Sequence, residues 1–205
     1  MLCLNMIVRN EMANLERCLS AVAPHIDCWV IGDTGSSDGT QDYIRSFFAR
    51  RSIPGELHSF PFENFEQARN AALNHARDTT LPYAYLLLAD ADMEFVVDDP
   101  AFAGTLTAPG YRLIQKADSG LTYWNTRLLR RGAGARYVGV THEYVDVPGG
   151  VEPTRAGAVA RSRAVEPVLL CPVRARGDAV LPQPAPCADG ACGAALPGSV
   201  SRLAR

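Results

Sequence analysis

The stretch LLLADADMEF, residues 86–95, sets the reading of the whole chain: four apolar residues run into two aspartates one residue apart, Asp90 and Asp92, with Glu94 behind them. A run without polar alternation fits a strand buried on both faces, the place of a central strand in a parallel sheet covered by helices. The stretches around it agree. LCLNMIVRN (2–10), CWVIGD (28–33), GELHSF (55–60) and YAYLLLAD (83–90) read as four strands. Between them, Leu15, Cys18, Leu19 and Val22 recur at helical spacing until Pro24. Thr40 is placed to cap a helix whose apolar face is Tyr43, Ile44, Phe47 and Phe48. FEQARNAALNHA (65–76) forms a third helix with Phe65, Ala68, Ala72, Leu73 and Ala76 inward. This alternation predicts an α/β fold, a mostly parallel sheet with helices on both faces. After Pro109, YRLIQ, LTYWNTRLLRR and RYVGVTHEYVDV read as short strands joined by glycine-bearing turns, a β-rich extension of the α/β half.

In open α/β sheets ligands bind beyond the carboxyl ends of the strands. Three polar clusters fall there: Asn10–Glu11, the run Asp33-Thr34-Gly35-Ser36-Ser37-Asp38-Gly39-Thr40, and Asp90-Ala91-Asp92. Turn chemistry accounts for any one of them alone, since Asp, Ser and Gly are what a strand-to-helix loop requires. Three on one rim point to a site. On an extended strand Asp90 and Asp92 face opposite ways, whereas a turn begun at Ala91 brings both carboxylates around one ion. Oxygen ligands of this kind suit Mg2+ or Mn2+, completed by water and substrate phosphates. Glu94 lies too far along to join them.

Composition excludes several classes. With 47% apolar and 20% charged residues and a formal charge of −2, the chain is a globular protein without the clustered basic surface that binding to nucleic acid or anionic membranes requires. No apolar run is long enough to span a bilayer, and MLCLNMIVRNE lacks the features of a signal peptide, so a cytoplasmic location is expected. Cys3, Cys18 and Cys28 lie in apolar or helical contexts, and Cys171, Cys187 and Cys192 show neither CxxC spacing nor a paired histidine, so structural zinc is not expected. Residues 1–150 form the expected domain. From 151 to 205 the chain has no aromatic residue, and Ala, Arg, Pro and Gly supply 31 of 55 positions, too little apolar material to offset the entropy of ordering. That segment reads as a disordered tail or as out-of-frame translation of a GC-rich gene.

The ordered series MIVRNE, VIGDTGSSDGT, FEQARNAALNHA and YLLLADAD resembles the family 2 glycosyltransferases, which have the GT-A fold, over residues 2 to about 147. The resemblance implies metal-dependent transfer of a sugar from a UDP- or GDP-sugar to a peptide, glycan or lipid acceptor, by inverting single displacement. It implies that Asn10, Glu11, Asp33, Thr34, Ser36, Asp38, Arg69, Asn70 and Asp90 surround the nucleotide. Commoner members carry two aspartates where this chain has Asp33-Thr34. Asp90 and Asp92, completed by His142, would hold Mn2+ or Mg2+. YVGVTHEYVD resembles the aromatic–x–Gly–x–x–His–Glu sequence of a subgroup that includes peptide S-glycosyltransferases and repeat-bearing proteins, with Tyr137, Gly139, His142 and Glu143 in place. By that resemblance Glu143 is the expected base.

Plainer readings stay open beside these. Arg69 and Asn70 suit a polar helix face, Glu11 the first turn of a helix, His142 and Glu143 an exposed edge strand, and Trp124 either a sugar face or core packing. Two other functions compete: a degenerate copy that binds nucleotide-sugar without efficient transfer, and a haloacid-dehalogenase-type phosphatase. The phosphatase wants its DxD after the first strand and a later catalytic lysine, but here the DxD follows the fourth strand and Lys116 is the sole lysine.

Overall fold

The computed structural model describes residues 1–117, 120–140, 142–154 and, by backbone alone, 158–162. The α/β expectation is met. Strands β1 (Leu2–Val8), β2 (Cys28–Asp33), β3 (Gly55–Ser59) and β4 (Tyr85–Leu88) alternate with helices α1 (Met12–Val22), α2 (Thr40–Ala49) and α3 (Phe65–Asp78). Then follow β5 (Met93–Val97), β6 (Gly110–Ala117), β7 (Thr122–Arg130), β8 (Arg136–Val138), β9 (Tyr144–Asp146), β10 (Glu152–Pro153) and β11 (Ala158–Ser162). The main sheet runs β3-β2-β1-β4-β7-β6-β11-β5, with β10 added to β6, and β8 and β9 pair as a separate hairpin. The β3-β2-β1-β4 half is parallel throughout. β7 pairs antiparallel with both β4 and β6.

The pleat sorts the core into two layers. Leu2, Leu4, Met6 and Val8 of β1 face α1 and α2, where Leu15, Leu19, Ile44, Phe47 and Phe48 are fully buried. Cys3 and its neighbours Cys28, Val30, Leu86 and Leu88 face α3 through Leu73 and Ala76. Asn5, buried among them, donates through Nδ2 to the carbonyls of Val30 and Ala72, both at 3.0 Å, fixing α3 to the sheet.

Two local expectations change. Thr40 is not the cap of α2: Gly39 occupies that position at φ +94°, a left-handed conformation glycine takes without strain, and Thr40 opens the helix. Phe65 does not face inward but is 45% exposed, because Asn64, which caps α3 by accepting from Gln67 N, sets the first turn at the surface. The segments after Pro109 are strands, as expected, and β6 and β7 join the main sheet beside β4. Pairing also continues beyond residue 150, with β11 inserted between β6 and β5. Residues 163–205, including Cys171, Cys187 and Cys192, lie outside the described residues.

Two outcomes follow from this packing. Phe47 is fully buried and packs edge-on against Phe48, so Phe47→Ala should cost about 3–5 kcal/mol in urea unfolding with an unchanged slope. On the outer side of α3, the His75 ring stacks on His58 at 3.9 Å, and burial together with the His58 charge lowers the His75 pKa below 6.5. The unfolded state therefore binds a proton first as pH falls. Stability should be complete above pH 6.5 and decline below it, and His75→Gln should flatten that decline in thermal melts.

Candidate functional site

The loops after β1 and β2 are stitched into one rim. Asn10, in the left-handed region at φ +54°, donates its backbone N–H to Ser36 Oγ at 2.9 Å and accepts from Ser37 N at 2.8 Å through its side-chain oxygen. Glu11 N donates to Thr40 Oγ1 at 2.9 Å, and Asp38 accepts from both Met12 N and Thr40 N. Thr34 donates from both its backbone and its hydroxyl to Val8 O. Glu11 Oε2 accepts from Asn14 Nδ2. These hydrogen bonds fix a polar edge at the carboxyl ends of β1 and β2.

Asp33 anchors that rim. Its Oδ1 accepts from the backbones of Gly35 and Ser36, each at 3.0 Å, and from Gln41 Nε2 at 2.9 Å. Burial alone would raise its pKa, but these donors outweigh burial and hold the carboxyl below its ordinary value. Its Oδ2 is buried and makes no hydrogen bond among the described residues. A buried acceptor left unmet costs about 1–3 kcal/mol, which a donor on a bound ligand would recover.

On the other face of the sheet α3 grips the hairpin that carries the His-Glu pair. Asn70 and Tyr137 exchange a reciprocal pair of hydrogen bonds, each 2.9 Å, between the Asn70 side chain and the Tyr137 backbone. Glu66 accepts from Gly139 N at 2.9 Å, and Arg77 donates to Ala135 O. Gly139, at φ +110°, turns the chain so tightly that a Cβ there would sit 3.0 Å from His142 O. Asn70, expected to line the nucleotide pocket, thus has its amide engaged by β8. Its neighbour Arg69 lines a shallow crevice with Met6, Ile7 and Tyr137.

At the end of β4, Met93 N donates to Asp90 O, closing the turn through Ala91 that the sequence suggested. The Asp90 carboxylate lies between two arginines: Arg69 Nη1 donates to Oδ1 at 2.8 Å and Arg127 Nη1 to Oδ2 at 3.1 Å. Arg69 Nε also donates to Glu143 Oε1 at 2.7 Å, so one guanidinium joins Asp90 to the expected base. Burial alone would push the Asp90 pKa up, but the two guanidiniums overcome it and hold the carboxyl well below the usual range. Arg127 itself is 6% exposed and donates through Nη2 to Gln115 Oε1 at 2.9 Å.

Of the expected metal ligands, Asp92 lies on the same turn, its backbone carbonyl accepting from Arg17 at 3.0 Å, and His142 is exposed. The residues present do not fit a divalent cation at Asp90. Each of its oxygens is paired with a guanidinium, and a cation bonded to either would lie beside two positive groups. Among the described residues no three His, Cys, Asp or Glu side chains are arranged to hold a metal ion. Trp124, 44% exposed, is not part of the core.

Comparison with known proteins places this geometry. Residues 3–101 match the family described as Glycosyl transferase family 2. A TPR repeat-containing protein of Synechococcus elongatus is 34% identical over 93 residues, 45% of this chain and 21% of that protein. The crystal structure of S. aureus TarS superposes with a TM-score of 0.54 at 12% identity, covering 80% of this chain and 36% of that one. The chain therefore spans about a fifth to a third of the relatives it matches. No helix among the described residues is long and apolar enough to cross a membrane. Residues 3–101 are thus similar to the family 2 glycosyltransferases, and the α/β architecture is that of the GT-A fold.

Proposed function

We propose that the rim binds a nucleoside-diphosphate sugar, a UDP- or GDP-sugar, and that the chain transfers the sugar with inversion to a hydroxyl or thiol acceptor. The observation that carries this reading is the convergence, at the carboxyl ends of the parallel strands, of the stitched Asn10–Thr40 rim with the Arg69–Asp90 pair, within the segment that matches a glycosyltransferase family. Backbone and side-chain donors at such an edge suit a ribose and diphosphate. Arg69 spends two of its five N–H groups on Asp90 and Glu143, and its Nη2 makes no hydrogen bond among the described residues. That edge of the guanidinium can receive charge developing on the diphosphate.

In the reaction the acceptor oxygen or sulfur forms a bond to the anomeric carbon as the carbon–oxygen bond to the diphosphate breaks. The nucleoside diphosphate leaves with the bonding electron pair. The acceptor proton passes to Glu143, whose Oε1 is fixed by Arg69 and whose Oε2 makes no hydrogen bond among the described residues. The peptide, glycan or lipid nature of the acceptor is decided on the hairpin side, where Val140 and Tyr144 are exposed.

Thermal-shift titration tests donor recognition. A UDP- or GDP-sugar should raise the melting temperature in proportion to about 2.7 kcal/mol at a hundredfold excess over Kd, and equal melting with every nucleotide-sugar would refute the reading. Glu143→Gln should leave that shift in place while lowering kcat by about 100-fold to 10,000-fold, and full turnover in the variant would remove Glu143 from the role of base.

A further inference from the structure

Arg127 has no role in the chemistry above, yet its placement is built. It lies on β7, where the pairing with β6 slips: Tyr111 is opposite Leu128 but Arg112 is opposite Thr126, so Arg127 is the extra residue of a β-bulge. A bulge re-aims one side chain out of the alternating pattern. The re-aimed guanidinium reaches Asp90 Oδ2, while Gln115 from β6 holds its Nη2 and its Nε is buried without a hydrogen bond among the described residues. Burying a charge at this depth is tolerated only when it is paired.

We propose that Arg127 is a positioning residue of the donor site: it binds one oxygen of Asp90 so that the other fixes Arg69, and this arginine-bound carboxylate replaces a metal ligand at that position. The inference rests on the nucleotide-sugar reading. Asp90 then aims positive charge without carrying a cation. The second guanidinium is what makes Asp90 unsuitable for one: a divalent ion on Oδ2 would share that oxygen with the positive charge of Arg127, with Arg69 on the other oxygen. Arg69, held by Asp90 and Glu143 on two sides, presents its outer edge to the diphosphate in a fixed orientation.

Two measurements test this. Calorimetric titration of the whole chain with UDP and GDP, in EDTA and in excess Mn2+, should give affinities within about threefold of each other for the nucleotide that binds. Arg127→Met should weaken that binding by more than about tenfold, with Arg127→Lys recovering part of it, because a point charge restores neutralisation but not the fork. Electron paramagnetic resonance of Mn2+ with the nucleotide-loaded chain should give equal uptake for wild type and Asp90→Asn, since Asp90 is not a ligand. Nucleotide binding that requires Mn2+, with uptake lost in Asp90→Asn, would overturn the proposal, as would wild-type affinity in a folded Arg127→Met. Absence of binding by both nucleotides under both conditions would instead overturn the nucleotide-sugar reading on which it stands.

Discussion

Asp90 between Arg69 and Arg127 is the interaction on which the rest of the site depends. Three elements distant in sequence meet at this carboxylate: the end of β4, the face of α3 and the bulge of β7. Including Glu143, the four side chains sum to zero charge, which is how a cluster this buried avoids the desolvation penalty of an unpaired ion. Its geometry is cooperative, because each carboxylate oxygen accounts for one guanidinium and Arg69 serves two carboxylates at once.

The network also links the two halves of the proposed reaction. On one side lies the rim formed by Asn10, Asp33, Ser36 and Asp38, largely fixed by hydrogen bonds within itself. On the other lies the β8–β9 hairpin, fastened to α3 by Glu66, Asn70 and Arg77. The helix that carries Arg69 thus serves as the common mount for the donor edge and the His-Glu hairpin. A shift of α3 would move both together, so the distance between diphosphate and base is set by one rigid element, with little left to loop flexibility.

What the sequence shows and what it hides separate along local and non-local lines. β2 matches CWVIGD residue for residue, and Ile44, Phe47 and Phe48 form the buried stripe, because apolar periodicity bounded by Gly and Asp is local information. The turn after Asp90 is legible for the same reason. Arg127 is not, since within LTYWNTRLLRR it is one arginine of three and only its pairing with β6 reveals a bulge. Asn70 is legible as a polar residue of α3 but not as the partner of the Tyr137 backbone, a contact made across 67 residues of chain. Phe65 misleads because helical spacing marks it as inward, while its place in the first turn of α3 leaves it at the surface.

The claim that Asp90 holds arginines in place of a metal is tested most directly by a crystal structure of the chain with UDP or GDP in Mn2+, with anomalous data collected at the manganese edge. Arg69 should lie on the diphosphate and Arg127 still on Asp90 Oδ2, with no anomalous peak within bonding distance of Asp90. A manganese ion bonded to Asp90, with Arg127 displaced from it, would contradict the account.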